Sequence, residues 1–259
     1  MSTKAALITP VGMTPSVVTE MIMHLDKMEG IYLTDVCLIH TINPNVKHIV
    51  NFIKGVINSK YPRIRVHNIS LPFEDIKSDE DNLQFMKTLK ETIEYERSMD
   101  VKRIYLSVSG GRKDMSASSL VVASLSWVDS VFHVIHSDVE VYNIHIEKIR
   151  DEISRIGMSD NAKEAYEEFM KTSSKSEDME MAIFPSMDML TYVEIPFLPY
   201  PPSVLCELQR LSSMGYMYVS EINIDSETLA ILSKQGFVLI KDETIYVAEK
   251  GERILNVFR

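Results

Sequence analysis

Cysteine is scarce in this sequence, which has only Cys37 and Cys206 among its 259 residues. Cys37 lies in an apolar strand-like run and Cys206 in a helix-like one. Both are therefore expected to be buried thiols in a reducing cytoplasm, not parts of a disulfide framework or a metal site. No apolar run approaches the ~20 residues that span a membrane, and residues 1–5 lead into a strand-like run rather than a signal peptide. These absences predict a cytoplasmic protein that does not bind a membrane.

Positive charge is also in short supply. The chain has 27 lysines and arginines against 37 acidic residues, which gives a formal net charge of −10. A surface of this sign repels the phosphate backbone of bulk DNA or RNA, so we do not expect such binding. A small anionic ligand can still bind where a cleft is locally positive.

Two further patterns are missing. The first strand is followed by a turn with a single glycine, Gly12, and this turn lacks the G-x-G-x-x-G sequence of dinucleotide-binding enzymes. An NAD-dependent enzyme is therefore disfavoured. No set of His, Cys and carboxylate residues occurs at metal-ligand spacing. We expect neither a metal ion nor an organic cofactor.

The most informative segment that is present covers residues 107–119, SVSGGRKDMSASS. It follows an apolar run and precedes a helical pattern, so it predicts a strand, a glycine turn and a helix. Gly110 and Gly111 allow close approach of a ligand or a positive φ. The helix start offers free N–H groups and the positive end of a dipole, and Arg112 and Lys113 add two cations. An anion-binding loop is predicted; an ordinary turn with a surface Arg–Lys pair remains the alternative.

A second segment, residues 7–20 with the sequence LITPVGMTPSVVTE, predicts the same strand–turn–helix arrangement. Gly12 lies in the turn, Thr14 is a suitable N-cap and Pro15 fits the first helical position. In a doubly wound sheet of order 3-2-1-4-5, strands one and four are neighbours where the strand order reverses. Ligands bind at that point, so both turns are expected to converge on one cleft.

Strand and helix patterns alternate through residues 1–140, which predicts an α/β domain with a Rossmann-like, mostly parallel sheet and helices on both faces. The predicted strands cover residues 5–8, 35–39, 64–70, 102–108 and 131–135. The predicted helices cover residues 15–28, 44–58, 83–97 and 114–127, with an acidic loop at 75–81. Asn43 and Pro44 mark the start of the second helix as its cap and first residue.

Residues 141–200 are predicted to form an extension. Residues 144–174 are helical and acidic, whereas residues 175–180 lack an apolar period and indicate a mobile connector or lid. A stiff boundary follows, marked by Pro196, Pro199, Pro201 and Pro202.

Residues 201–259 are predicted to form a small unit that resembles a winged helix. Its expected elements are a helix at 204–213, a strand-like segment at 216–222, a helix at 226–235, a hairpin from 237–240 and 245–247, and a helix at 249–257. Six basic and eight acidic residues in 203–259 give a balance of −2. A DNA reader normally has a basic surface, so dimerisation or covering of the cleft is favoured over DNA recognition.

Residues 12–20, GMTPSVVTE, together with residues 109–116, SGGRKDMS, resemble the CRISPR-associated Rossmann fold (CARF) sensors. Within these, the chain is similar to the stand-alone ring nucleases of type III CRISPR systems. Residues 192–199, YVEIPFLP, resemble a late strand of that group. The resemblance spans roughly residues 4–200 and leaves the C-terminal unit outside.

The resemblance implies a cyclic oligoadenylate ligand, most often the tetramer, bound by a homodimer with the ring on the two-fold axis. It implies metal-independent attack of a 2′-hydroxyl on the adjacent phosphorus, which leaves a 2′,3′-cyclic phosphate and a free 5′-hydroxyl. Lys113 would stabilise the transition state, Arg112 would hold a neighbouring phosphate and Thr14 would orient the 2′-hydroxyl. Further implied ligand contacts are Gly12, Met13, Ser16, Ser109, Gly110, Gly111 and Met115.

Several alternatives stay open from the residues alone. His40 could face the cleft or be a structural residue at a strand end, and His133 or His136 could be a general base. Glu20 could be a buried partner of Arg112 or Lys113, or a surface acid. A non-catalytic sensor or a transcription regulator that acts through the C-terminal unit would need the same cleft.

Overall fold

A six-stranded sheet forms the centre of the computed structural model, which describes residues 3–126, 128–196 and 201–259. The strand order is β3-β2-β1-β4-β5-β6. The first five strands are parallel, and β6 pairs antiparallel with β5. The strands are β1 Thr3–Pro10, β2 Ile31–His40, β3 Arg65–Ser70, β4 Arg103–Ser107, β5 Ser130–His136 and β6 Leu190–Glu194. The predicted Rossmann-like α/β fold and the order of its first five strands are confirmed.

Helices cover both faces of the sheet, because β1 directs apolar side chains to alternate sides. Ala5 and Leu7 join the core cluster under α1, α2 and α5–α7, whereas Ala6 and Ile8 join the cluster under α3, α4 and α10. The helices packed on the sheet are α1 Ser16–Lys27, α2 Pro44–Lys60, α3 Asp79–Ser98, α4 Lys113–Leu125, α5 Val139–Gly157, α6 Ala162–Thr172, α7 Ser176–Ile183 and, from the C-terminal unit, α10 Glu249–Phe258. No helix of the described ranges is long and apolar enough to cross a bilayer.

The helix starts test the cap predictions. Asn43 caps α2 as predicted, since its side chain accepts a hydrogen bond from the Asn45 amide at 3.0 Å. The Thr14 cap is wrong: α1 begins at Ser16, Pro15 occupies the N-cap position and no side chain caps the helix. Thr14 is therefore left exposed in the turn.

Helix α3 begins earlier than predicted. Residues 79–81, expected in an acidic loop, form its first turn, because Ser78 and Asp81 make a reciprocal capping box. The Asp81 amide donates to Ser78 Oγ at 3.1 Å, and the Ser78 amide donates to the Asp81 carboxylate at 3.1 Å. Acidic side chains are also favourable at the positive end of a helix dipole.

The predicted mobile connector at residues 175–180 is wrong. Most of it belongs to α7, which buries Met179, Ala182 and Ile183 in the core cluster under α1 and α2. These residues follow the i, i+3, i+4 pattern of an amphipathic helix. Ala182 and Ile183 lie beyond residues 175–180, so that segment alone does not show the pattern. The helical stretch at 144–174 is divided between α5 and α6.

The C-terminal unit has its own three-stranded sheet, of order β7-β9-β8. Its elements are α8 Pro202–Met214, β7 Met217–Tyr218, a 3-10 turn at Val219–Glu221, α9 Ser226–Lys234, β8 Val238–Lys241, β9 Thr244–Val247 and α10. Of the strand-like segment at 216–222, only Met217–Tyr218 form a strand, and Val219–Glu221 form a 3-10 turn. Arg253 of α10 pairs with Asp79 and Glu80 of α3, at 3.1 and 2.9 Å.

The two cysteines differ in their environment. Cys37 is buried as expected, but Cys206 is exposed, because it lies on the outer side of α8. Helix α4 ends at Leu125, and position 127 of the predicted helix lies outside the described residues. So do positions 197–199 of the late strand, which include Pro199 of the predicted boundary.

Candidate functional site

The turns after β1 and β4 are in backbone contact. A Cβ atom added at Gly110 would lie 2.2 Å from the Pro10 carbonyl oxygen, and one at Gly12 would lie 3.2 Å from the Gly111 nitrogen. Gly111 also has a φ of 74°, in the left-handed region that favours glycine. The glycines at 110 and 111 therefore allow the two turns to meet at the carboxyl ends of β1 and β4.

A cleft of about 690 Å³ opens beside this contact. Six of the ten site residues expected from the sequence line it, namely Gly12, Met13, Thr14, Gly111, Arg112 and Met115. Sequence reasoning missed the remaining lining residues, which are Val11, Thr41, Asn43, Asn45, Val46, Glu74, Asp75 and Lys77. Most of these follow β2 and β3, so the cleft lies at the carboxyl ends of four neighbouring strands. Ligands bind at this end of a parallel sheet, and the segments after β2 and β3 could have been predicted to line the cleft on that ground.

Arg112 is held across the cleft by Asp75. Its Nε donates to Asp75 Oδ1 at 2.7 Å, and its Nη2 donates to Oδ2. The guanidinium holds the pKa of Asp75 below its usual range, and the carboxylate raises the pKa of Arg112. A phosphate that binds Arg112 must therefore compete with this carboxylate.

Lys113 is the first residue of α4 and is exposed. It forms no ion pair with any residue in the described ranges. Arg112 occupies the N-cap position with no side-chain cap hydrogen bond, so the start of α4 is open to an anion. Asp114, in the first turn of α4, is also exposed. Lys113 thus provides an unpaired cation next to the Gly-Gly turn.

Three expected contact residues lie behind the surface of the cleft. Ser16 is fully buried, and its Oγ is 2.7 Å from the hydroxyl of Tyr142. Ser109 Oγ accepts a hydrogen bond from the Val134 amide at 2.7 Å and lies 3.3 Å from His133 Nδ1. Gly110 is buried against Pro10. These residues support the two turns from below.

Glu20 is completely buried and pairs with His136, at 2.8 Å between Oε1 and Nε2. Both alternatives left open for Glu20, a buried partner of Arg112 or Lys113 and a surface acid, are therefore wrong. Within the described ranges its Oε2 has no hydrogen-bond partner. The His136 ring lies 4.4 Å from the ring of Tyr142, whose hydroxyl contacts Ser16. This network links the core to the start of α1.

His40 ends β2 and is buried, with Nδ1 2.9 Å from the Thr41 carbonyl oxygen. Burial lowers the pKa of His40, which favours the neutral ring. His40 does not line the cleft, and its contacts are those of a structural residue.

One cluster of potential metal ligands lies away from the cleft. Asp35, His67 and Glu96 have ligand atoms that all lie within 4.8 Å of one another. The expectation that no such cluster occurs is therefore wrong. Its members come from β2, β3 and α3, so linear spacing could not reveal it.

Comparison with known proteins places the chain in a CRISPR-associated family. The family model of "CRISPR-associated protein NE0113" matches residues 14–218. The CRISPR system ring nuclease SSO2081 of Saccharolobus solfataricus is 27% identical over 170 residues, which cover 64% of this chain and 89% of the relative. The resemblance stated from the sequence is thus confirmed.

Two solved structures are similar over much of the chain. Enterococcus italicus Csm6 bound to cyclic hexa-2′-fluoro-hexa-dAMP has a TM-score of 0.44 and 14% identity over 83% of this chain. Protein VC1899 from Vibrio cholerae has a TM-score of 0.36 and 9% identity over 98% of this chain. The chain spans 47% of the first structure's length and 66% of the second's. On the family match over residues 14–218, the chain belongs to the NE0113 family of CRISPR-associated proteins.

Proposed function

We propose that this chain is a ring nuclease, which binds cyclic tetra-adenylate in the cleft and cleaves it without a metal ion. The observation that carries the proposal is the backbone contact between the turns after β1 and β4. It brings Arg112, at the start of α4, to one cleft together with Thr14, and Lys113 follows Arg112 as the first residue of α4, next to the residues that line the cleft. Relationship to a protein named as a CRISPR system ring nuclease supports the same activity. Loss of the ring would switch off type III CRISPR signalling.

The reaction requires no protein nucleophile. A ribose 2′-oxygen attacks the adjacent phosphorus, the bond to the 5′-oxygen breaks, and a linear product with a 2′,3′-cyclic phosphate results. The proton leaves the 2′-hydroxyl and one is taken up by the 5′-oxygen. In-line geometry and stabilisation of developing charge supply the catalysis.

Lys113 stabilises the charge on the phosphoryl oxygens, because its ammonium has no competing acid in the described part of the chain. Arg112 holds a neighbouring phosphate bidentately once Asp75 is displaced. The exposed hydroxyl of Thr14 orients the attacking 2′-hydroxyl. Each role thus falls to a group at the junction of the two turns.

The adenine bases are bound by the rim of the cleft. The Met13 side chain is 58% exposed, and its thioether can pack on a base face. Asn45 lines the cleft from the start of α2, and an amide side chain can pair with the N6 and N7 atoms of adenine. Selectivity for adenine would follow from this pair.

The active form is a homodimer with the ring on its two-fold axis. A four-fold ring presents equivalent groups to two subunits, and two-fold dimers are the commonest assembly. Two copies of Arg112 and Lys113 then face four phosphates. Residues 1–140 bind the ligand, residues 141–200 extend that domain, and the winged-helix-like unit at 201–259 contributes to dimerisation or covers the cleft.

The test is incubation of the purified chain with labelled cyclic tetra-adenylate in excess chelator, followed by separation of the products. Linear products that end in a 2′,3′-cyclic phosphate are expected. Binding without cleavage would contradict the nuclease and support a sensor that acts through residues 201–259. Cleavage that stops in chelator and returns with added metal would contradict the metal-independent mechanism.

A further inference from the structure

A cluster of four potential metal ligands lies between the sheet and α3. Asp35 and Cys37 project from the same face of β2, and Cys37 is the register partner of His67 on β3. Glu96 reaches this face from α3. Asp35 and Glu96 are each 1% exposed, and Cys37 is completely buried. Parallel register and one helix thus bring four donor side chains together inside the protein.

The distances suit a small metal ion. His67 Nε2 lies 2.8 Å from Asp35 Oδ1 and 4.0 Å from Glu96 Oε1, and Cys37 Sγ lies 3.2 Å from Glu96 Oε1. Metal–donor bonds of about 2.0–2.3 Å in a tetrahedral site separate neighbouring donors by roughly 3.3–3.8 Å. These three separations lie on both sides of this range, so small shifts would bring Asp35, His67 and Glu96 to one ion. Cys37 Sγ is outside the group of donor atoms that all lie within 4.8 Å of one another, so its side chain would have to move towards Asp35 and His67 to complete the coordination.

The charges of the cluster favour a divalent cation. Arg65 pairs bidentately with Asp35, at 2.8 Å for each contact, and Thr34 donates to the same carboxylate at 2.7 Å. Glu96 has no such partner among the described residues: only the Cys37 thiol and the His67 ring approach it. With Cys37 as thiolate, a divalent ion and Arg65 together balance three negative charges. Two buried carboxylates this close otherwise carry a large desolvation cost.

We propose that Asp35, His67 and Glu96, with Cys37 as the fourth donor, bind one zinc ion that fastens β2, β3 and α3 together. A mixed set of thiolate, imidazole and carboxylate ligands suits zinc, and four protein ligands make a closed structural site. Binding releases the Cys37 thiol proton to solvent, and His67 binds through Nε2 as the neutral tautomer with its proton on Nδ1, without any redox step.

The proposed site has its own route to solvent. A cavity of about 650 Å³ is lined by Cys37, His67 and Glu96, with Lys54 and Tyr95 at its sides. None of its lining residues lines the cleft described above. The zinc proposal therefore does not rest on the ring nuclease activity and requires no metal in that reaction.

The first experiment measures the metal content of the purified full chain after dialysis, followed by zinc titration of the chelator-treated protein by calorimetry. About one zinc per chain and a raised melting temperature with zinc are expected. Cobalt substitution should give a thiolate-to-cobalt charge-transfer band. Failure of the wild-type chain to bind added zinc would overturn the proposal, and a cobalt complex without that band would remove Cys37 from the ligand set.

Variants test the individual ligands. His67→Gln and Glu96→Gln should each weaken zinc binding by roughly 10²-fold or more, beyond the 10–100-fold loss expected from an outer partner of a ligand. Glu91→Gln is the matched control, since Glu91 lines the same cavity but lies outside the donor set. The zinc affinity of this variant should equal that of the wild type. Unchanged affinity in both ligand variants would contradict the site. If either variant does not fold, the wild-type titration and cobalt spectrum decide alone.

Discussion

Arg112 donates from its Nε to Oδ1 of Asp75 at 2.7 Å, so the arginine next to the Gly-Gly turn is held by an acid that follows β3. Both side chains line the cleft, and both are partly exposed. The carboxylate reduces the local positive potential that an anionic ligand meets. The proposed binding of a phosphate by Arg112 therefore requires its release from Asp75.

Replacing Asp75 with Asn should tighten binding of cyclic tetra-adenylate by no more than about fivefold, because the carboxylate that competes for Arg112 is removed but an exposed ion pair is weak. The gain should shrink at high ionic strength, where screening weakens both interactions. Calorimetry at two salt concentrations measures the effect. Asp100→Asn is the control, since Asp100 pairs with Lys102 away from the cleft. Unchanged or weaker binding in Asp75→Asn would show that Asp75 does not compete with the ligand.

Lys113→Ala should slow ring opening by roughly 10²–10³-fold, the range seen when one preorganised transition-state donor is lost. Binding should fall less, since Arg112 and the start of α4 remain. Single-turnover cleavage and equilibrium binding separate the two effects. Lys234→Ala removes an exposed lysine of α9 and serves as the control. Full activity in Lys113→Ala would exclude this lysine from the mechanism.

His136→Ala should lower the free energy of unfolding by about 3 kcal/mol or more, because it leaves the Glu20 carboxylate buried without its partner. His145→Ala is a close control. The His145–Asp178 pair has the same 2.8 Å separation, but the Asp178 side chain is 21% exposed and also pairs with Lys148. Urea unfolding at neutral pH compares them. An equal decrease in the free energy of unfolding in the two variants would mean that the burial of Glu20 does not determine the destabilisation.

Acid should destabilise the fold through His24. This ring stacks on Tyr192 with centroids 4.1 Å apart, and burial lowers its pKa from the ordinary 6.5 despite the nearby Glu194. As the pH falls through about 6.5, the unfolded chain takes up a proton that the folded chain resists. Stability is therefore retained above this pH and lost below it.

The urea concentration at which half the protein is unfolded should decrease when the pH is lowered from about 7.5 to about 5.5. It should fall less in His24→Phe, which keeps an aromatic ring at this position but cannot take up a proton. His40, whose pKa burial also lowers, supplies part of the remaining slope. If wild type and His24→Phe show the same loss, His24 does not contribute to the pH dependence.

The sheet order could be predicted because local signals agreed with the fold. Each predicted strand of the first domain was followed by a helical pattern, and each turn carried residues suited to it, such as Asn43 with Pro44. The turn glycines predicted a close approach of a ligand or a positive φ, and Gly111 has a φ of 74°. Gly110 lies against the Pro10 carbonyl oxygen, a contact between turns that was not predicted. The predicted features depend on residues near one another in the chain.

The features that were missed depend on contacts between distant segments. Asp75 could be assigned to an acidic loop, but nothing in the sequence pairs it with Arg112. Asp35, His67 and Glu96 meet only through strand register and the position of α3. Likewise, residues 175–180 have the polar composition of a connector, and only the burial of Met179 against other helices makes them part of α7.

The contact between Gly110 and Pro10 has a consequence for how this family can diverge. Gly110 meets the main chain of Pro10, and main-chain dimensions do not change when neighbouring side chains are exchanged. Met13, Thr14 and Arg112 line the cleft beside this contact. Substitutions at these three positions can therefore change the lining of the cleft without moving the two turns, whereas a side chain at position 110 would disturb both turns at once.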